Sequence, residues 1–187
     1  MKKTFVETVG RVAYAHFTPT ELFTTTGLGV DMQRVWRKRG HLPPITGRTA
    51  TFSTIELMQI AIMYELSGLG VSPKNSESSA ELGASTVLFF SLLNGKGAVD
   101  VRGSMEEVTA LARRMEMRDR VALSISGSEG KGRFLWSSAP PTFELIGDIE
   151  KQIEEAGAVG HIMIDLMWLG IKLAERTPKP FVTIEAG

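Results

Sequence analysis

Short apolar stripes at helical spacing, separated by glycine and proline breaks, dominate residues 17–72 of the chain. Thr18, Pro19 and Glu21 have the composition of a helix start, because threonine caps the end, proline fits the first turn and glutamate completes a capping box. The pattern predicts a short first helix that Gly27 ends, since glycine readily adopts the left-handed conformation found after helices.

A second short helix is predicted over residues 30–39. Met32, Val35 and Trp36 lie three and four positions apart, so their spacing predicts that they share one face and pack inward. Gly40 and the prolines that follow it end the helix. Two adjacent helices joined by a glycine-containing turn form a helix-turn-helix, whose second helix normally enters the major groove of DNA.

Basic and polar side chains on and around the second helix are the candidate DNA contacts. Gln33 and Arg34 are candidates for reading base edges, because amide and guanidinium groups form bidentate hydrogen bonds with bases. The candidate phosphate contacts are Arg37, Lys38, Arg39 and Arg48, and the weaker backbone candidates are Thr18, Thr20 and Tyr64. The alternative is a solvated helix end whose basic residues only complement the helix dipole.

This segment resembles the winged helix-turn-helix domain of the MerR family of bacterial transcription regulators. The resemblance covers about residues 17–73, under half of the chain, and is carried by Phe17-Thr18, Glu21-Leu22, Thr26-Gly27, Arg34, Trp36, Lys38-Arg39-Gly40 and Leu42-Pro43. Residues 41–52 correspond to the wing, with Arg48 at or near its tip, and residues 52–72 to the third helix and the turn into the fourth. Val30, Asp31 and Gln33 depart from the pattern, and Gln33 replaces a usual leucine.

The resemblance implies a domain that binds duplex DNA, usually as a homodimer on a pseudo-palindromic site. A dimer is also favoured on separate grounds. One small domain makes few contacts, so useful affinity favours two domains that read two half-sites.

The rest of the chain predicts a mixture of helices and strands. The predicted helices are residues 80–93, 104–117, 143–155 and 160–176, and the predicted strands are residues 98–102, 120–126, 133–137 and 181–184. Residues 76–80 are polar enough for a linker, and the two middle strands are predicted to form a hairpin. The apolar residues 160–176 are a candidate for a dimer interface or for the domain core.

The predicted fold class is therefore mainly α with some β. An N-terminal arm (residues 1–16) precedes a MerR-like winged helix-turn-helix DNA-binding domain (residues 17–75). A mixed α/β regulatory or dimerisation domain (residues 76–187) follows.

The distribution of charge favours this division. The net charge is zero, but residues 1–75 carry nine Lys and Arg against five Asp and Glu, whereas residues 76–187 carry twelve against sixteen. A basic first part and an acidic second part are typical of a DNA-binding head with a separate regulatory body. Chance unevenness is the alternative.

Several other chemistries lack the residues that they need. The absence of cysteine excludes disulfides, thiolate metal ligands and thiol redox sensors, and the three histidines are widely separated in the sequence. Residues 127–132 do not have the spacing of a phosphate-binding loop. Asp165 lies within an apolar stretch and needs a partner if it is buried, so a capped or paired structural role is favoured over a catalytic one. We expect no cofactor, no metal site and no enzymatic activity.

No membrane segment is predicted. Glu7 and Arg11 interrupt the apolar character of the N-terminal stretch, which therefore does not have the pattern of a signal peptide. Residues 157–174 are interrupted by charged side chains and are short for a membrane span. A cytoplasmic location without a membrane partner is expected.

The sequence thus predicts a sequence-specific, double-stranded DNA-binding transcription regulator of bacterial or phage type, acting as a homodimer. RNA polymerase and a small-molecule effector are further partners that the sequence leaves open. One alternative is an excisionase-like architectural DNA-binding protein of a phage or mobile element. The other is a ligand-sensing regulator, which a cavity around Trp136, Phe143 and Trp168 would favour.

Overall fold

Helices alternate with short strands along the chain. The computed structural model describes residues 11–45, 50–94, 97–104, 106, 132–157 and 160–185. The helices are α1 (Pro19–Thr26), α2 (Val30–Lys38), α3 (Thr54–Gly68), α4 (Pro73–Asn94), α5 (Ile149–Ala156) and α6 (Leu166–Arg176). The strands are β1 (Arg11–Tyr14), β2 (His16–Phe17), β3 (Phe52–Ser53), β4 (Val99–Arg102), β5 (Phe134–Ala139), β6 (Thr142–Ile146), β7 (Ile162–Asp165) and β8 (Val182–Glu185). None of the helices in these ranges is long and apolar enough to cross a membrane.

The strands of the described residues pair in small sheets that join distant parts of the chain. β8 lies between β1, which is antiparallel to it, and β4, which is parallel to it. β2 pairs with β3, and β5 lies between β6 and β7 in antiparallel pairing. Because β1 precedes and β8 follows all the helices of the described residues, the sheet of β1, β8 and β4 brings the two ends of the described chain together.

The local signals at the start of α1 and α3 are confirmed. The backbone N–H of Thr18 donates to the Glu21 carboxylate at 2.7 Å, and Glu21 N donates back to the Thr18 hydroxyl at 3.3 Å. Ser53 and Glu56 repeat this capping box at 2.6 and 3.3 Å. Gly27 ends α1 with φ +86°, the left-handed conformation that the sequence predicts there. Such caps are local, so they form wherever the two residues have the right spacing.

One hydrophobic core extends from the N-terminal helices into the C-terminal part. The Phe17 and Phe181 rings lie 5.8 Å apart, and the Thr54 hydroxyl is 3.0 Å from the carbonyl oxygens of both Ala15 and Phe181. Buried residues of α3, α4 and α6 belong to the same cluster. The N-terminal helices are therefore packed against the end of the described chain.

The predicted boundary after residue 75 does not coincide with a break in the fold. α4 runs from Pro73 to Asn94, so the prediction of a linker at residues 76–80 is wrong. Ser76 and Ser79 are buried despite their polarity, and the Ser76 hydroxyl donates to the carbonyl oxygen of Pro73 at 2.9 Å. Small hydroxyl side chains of this kind can be buried in a helix when the backbone accepts their hydrogen bond. The N-terminal stretch, whose sequence fits either a flexible arm or a short strand, forms the strand β1 over its described residues.

Two predicted C-terminal helices are each a strand followed by a shorter helix. β6 and α5 occupy the predicted helix at residues 143–155, and β7 and α6 occupy the one at residues 160–176. Asp148 and Asp165 cap the new helices, with side chains that accept hydrogen bonds from backbone N–H groups of the first turn. The buried leucines of α6 pack within the chain, where α6 lies against α4, which favours the core over the dimer interface.

The mixed α/β character of the chain is confirmed, as are three of the predicted strands. Residues 98–102, 133–137 and 181–184 correspond to β4, β5 and β8. The described partners of β5 are β6 and β7, whereas its predicted hairpin partner at residues 120–126 lies outside the described residues. The predicted helix at residues 104–117 lies almost entirely outside them as well.

Candidate nucleic-acid interface

Gln33 holds the turn between α1 and α2 together from the inside. The residue is 1% exposed, and its amide nitrogen donates to the carbonyl oxygens of Pro19 and Leu28, both at 2.9 Å. An amide that is buried and bonded in this way cannot reach a base edge. The predicted base-reading role of Gln33 is therefore corrected to a structural role, and the leucine usual at this position in MerR-like sequences was the available signal of burial.

The outward face of α2 combines cationic and apolar side chains. Trp36 is buried as predicted, but Met32 is 48% exposed and Val35 40%, so the prediction that these two pack inward is wrong. The inward stripe is instead formed by Gln33 and Trp36, three residues apart. We call the outward residues the α2 surface, which consists of Met32, Arg34, Val35, Lys38 and Arg39.

Arg34 is the most accessible candidate for base reading on this surface. Its Nη1 lies 3.0 Å from Asp31 Oδ1, and the side chains are 74% and 93% exposed. An exposed ion pair of this kind contributes less than about 1 kcal/mol, since water screens it and both side chains lose entropy. A phosphate or a guanine can therefore displace Asp31 at little cost, so Arg34 keeps the role that the sequence predicts as a hypothesis.

Arg37 connects the two described ends of the predicted wing. Its Nε donates to the carbonyl oxygen of Pro43 at 3.1 Å, where the chain leaves α2. Its Cζ lies 5.7 Å from the centroid of the Phe52 ring, where the chain returns to β3. The Nε atom is thus engaged by the protein, which gives Arg37 a positioning role beside its predicted phosphate contact, and that contact stays a prediction.

The structure describes the two ends of the predicted wing. Residues 41–45 lead away from α2, and Phe52 pairs with Phe17 as β3 meets β2. This pairing places Phe52 and Ser53 beside the start of α1. Arg48, the predicted contact at the wing tip, lies outside the described residues, so its role stays a prediction.

The three weaker candidates differ in accessibility. Thr18 is half-buried, and its hydroxyl already accepts a hydrogen bond as the cap of α1. Thr20 is exposed in the first turn of α1. Tyr64 is 37% exposed, and its ring lies 3.4 Å from the position that a Cβ on Gly27 would occupy. Thr20 and Tyr64 therefore remain accessible on α1 and α3, whereas Thr18 serves as a cap.

The C-terminal segment supports the start of α1 through residues that the sequence did not point to. Lys179 Nζ lies 2.9 Å from the Glu21 carboxylate and 5.0 Å from the centroid of the Phe17 ring. The hydrogen bond from the Thr18 backbone, together with Lys179, holds the pKa of Glu21 below its ordinary value. Lys179 and Glu21 are 158 positions apart, so no local pattern could reveal the pair.

Asp165 has the capped and paired role that the sequence favoured. Its carboxylate accepts from the backbone N–H groups of Met167 and Trp168 at 3.0 and 3.1 Å. Arg133 Nη2 lies 2.6 Å from it, and this hydrogen bond raises the pKa of the Arg133 guanidinium. Both carboxylate oxygens are thus used to begin α6 and to bind Arg133, an arrangement that stabilises the fold.

The aromatic residues proposed for a ligand cavity do not meet at one site. Trp168 is 61% exposed and lines an open groove of about 590 Å³ with Leu69 and Met163. Trp136 is buried in a separate cluster with Phe134 and Ile146. Among the described residues, no three His, Asp or Glu side chains are grouped so that they could hold a metal ion.

No protein-family model matches the chain, and no curated protein matches it either. The MerR-like interpretation therefore depends on the residues of the chain that carry the resemblance.

Proposed function

We propose that this protein is a sequence-specific, double-stranded DNA-binding transcription regulator of the MerR-like kind that acts as a homodimer. The observation that carries the proposal is the α2 surface. It presents three exposed cations and two exposed apolar side chains on a short helix, which a buried glutamine ties to the preceding helix.

Base reading is assigned to the middle of the α2 surface. With α2 in the major groove, Arg34 can donate two hydrogen bonds to O6 and N7 of a guanine, the commonest specific contact of this kind. Met32 and Val35 flank Arg34 and can contact thymine methyl groups. Docking on DNA would remove the exposed side chains of Met32 and Val35 from water, which gives a physical reason for apolar residues at these positions.

Phosphate binding is assigned to the C-terminal end of α2. Lys38 and Arg39 are both exposed, and neither forms an ion pair within the described residues. Each phosphate contact on duplex DNA releases counterions and contributes about 0.9 to the slope of log affinity against log salt concentration. The affinity should therefore decrease steeply with salt. Arg48 on the wing would add a contact with the flanking backbone or the minor groove.

A selection from a randomised duplex library tests base reading. We expect the wild type to enrich a motif with two related half-sites, because a dimer reads two copies of one sequence. Arg34→Ala should relax the preference for one base pair in each half-site, at a cost of about 1–3 kcal/mol in discrimination.

Arg102→Ala is the matched control. Arg102 is also an exposed arginine paired with a nearby aspartate, but it lies on β4. This variant should enrich the wild-type motif. If no motif is enriched, or if both variants change the motif equally, the assignment of α2 as the reading helix is wrong.

A further inference from the structure

A concave groove lies where the start of the wing faces α3 and α4. Its volume of about 660 Å³ is in the range of pockets that hold drug-sized molecules. Pro43, Pro44 and Ile45 contribute apolar surface from the wing, and Met63 contributes it from α3. Ile45 is 50% exposed, so part of this apolar surface faces water. We call this feature the wing groove.

The α4 side of the wing groove is acidic. Glu77 and Glu81 lie four positions apart, so they share one face of α4, and both line the groove. The Glu77 carboxylate lies 3.0 Å from Nδ1 of His41. Within the described part of the chain, Glu81 makes no ion pair and no hydrogen bond to another side chain. Arg37 also lines the groove, so the two carboxylates face one guanidinium, whose Nε donates to the carbonyl oxygen of Pro43.

We infer that the wing groove binds an organic cation, in which a protonated amine is attached to a compact apolar group. The apolar group would pack against Pro44, Ile45 and Met63, and the ammonium group would approach the two carboxylates. An anion of the same shape would meet repulsion from Glu81, which forms no ion pair within the described residues. This site is separate from the α2 surface, so the inference does not depend on DNA binding.

Titration calorimetry with three probes that share one hydrocarbon tests the inference on the full chain. Phenylbutylamine is the cation, phenylbutanol the neutral analogue and phenylbutyrate the anion. We expect the affinity to decrease in that order, because the apolar contact is common to all three and only the charge differs. Equal affinities for the amine and the carboxylate, or no binding of the amine, would overturn the inference.

Charge variants assign the binding to this groove. Glu77→Gln combined with Glu81→Gln should weaken the amine by roughly fivefold, the effect of two exposed ion pairs, and leave the alcohol unchanged. Glu81→Lys should reverse the preference and favour the carboxylate, an effect that a purely structural role for Glu81 would not produce. Glu150→Gln, an exposed glutamate on α5, is the matched control and should bind all three probes as the wild type does.

A last variant tests the apolar part of the wing groove. Ile45→Ala should weaken all three probes, because it removes apolar surface that each of them contacts. Since Ile45, Glu77 and Glu81 are exposed, the thermal midpoints of these variants should stay near that of the wild type. An affinity for the amine that is unchanged in the double glutamine variant would place its binding elsewhere and refute the inference.

Discussion

Gly170 lies where α6 crosses α4 at close range, so it offers a sharp test of how the two helices pack. A Cβ atom added at Gly170 would lie 2.7 Å from the carbonyl oxygen of Val87 and 2.9 Å from the backbone nitrogen of Ser91. Ordinary contact begins near 3.4 Å, so one helix would have to move by about 0.7 Å. Both atoms belong to the backbone of α4, which cannot turn aside as a side chain can.

The expected cost of Gly170→Ala follows from three terms. Overpacking of a core costs about 1–3 kcal/mol. The hydrogen bond from the Ser91 hydroxyl to the carbonyl oxygen of Gly170, at 3.0 Å, would be strained, with a loss of about 1 kcal/mol. Alanine has a higher intrinsic helix propensity than glycine, which offsets about 1 kcal/mol of this loss. We therefore expect a net loss of about 2 kcal/mol in the free energy of unfolding, or about 4–8 °C in the melting temperature of a chain of this size.

Gly68→Ala is the matched control for this prediction. Gly68 is also helical, but a Cβ there would meet nothing within 4 Å, so its variant should gain up to about 0.5 kcal/mol. Differential scanning calorimetry measures both variants. If Gly170→Ala is as stable as Gly68→Ala, α4 and α6 do not pack as closely as described. If the wild type shows two separate transitions, the sequence-predicted boundary near residue 75 is restored in place of one shared core.

Three further perturbations address α1, α2 and the residues that hold them together. Because the pKa of Glu21 is lowered in the folded protein, its ionised carboxylate stabilises the fold above its ordinary pKa of about 4.5, and this contribution is lost as the pH falls through the lowered value. Urea unfolding at several pH values should therefore show a smaller acid-induced loss of stability for Glu21→Gln than for the wild type. Arg37→Lys keeps the charge but loses the planar group that connects the wing, so it should weaken duplex binding in a filter or fluorescence assay, whereas Arg39→Lys should retain it. Gln33→Glu would place a carboxylate against two carbonyl oxygens and should cost more than about 3 kcal/mol in unfolding experiments. Gln33→Leu should cost about 1–3 kcal/mol and leave the selected DNA motif unchanged, and a changed motif would restore Gln33 as a base reader.

The parts of the fold that the sequence predicted correctly depend on neighbouring residues. The capping boxes of Thr18 with Glu21 and of Ser53 with Glu56 need only a spacing of three residues. The left-handed Gly27 likewise follows from the chemistry of one position. These features set where α1 and α3 begin and where α1 ends, because each can form before any distant contact exists.

The errors concern faces and partners that distant parts of the chain decide. Met32 and Val35 lie within four positions of Trp36 along the helix, and so does Gln33. The spacing of residues alone therefore did not determine which of them faces inward with Trp36. Gln33 faces inward because its amide nitrogen donates hydrogen bonds to the carbonyl oxygens of Pro19 and Leu28. The apolar periodicity of residues 160–176 predicted one helix. The first part is instead the strand β7, because β5 is available to pair with it.

Asp165 shows how much one residue could contribute to the prediction. Its position in an apolar stretch correctly indicated a partner or a cap. The partner, Arg133, is 32 positions away in the sequence, and it reaches Asp165 because β5 and β7 pair. The sequence therefore indicated that Asp165 needed a structural partner, but the sheet determined which residue supplies it.

The proposed DNA interface can be tested by the salt dependence of binding to a random-sequence duplex, with two variants that remove the same charge. Lys38→Ala combined with Arg39→Ala should lower the slope of log affinity against log salt concentration by about 2 per subunit, since two phosphate contacts are lost. Lys151→Ala combined with Arg176→Ala removes two exposed cations on α5 and α6 and should leave the slope near that of the wild type. Equal slopes for the two double variants, or no salt-dependent binding by the wild type, would contradict the proposal that α2 docks on DNA.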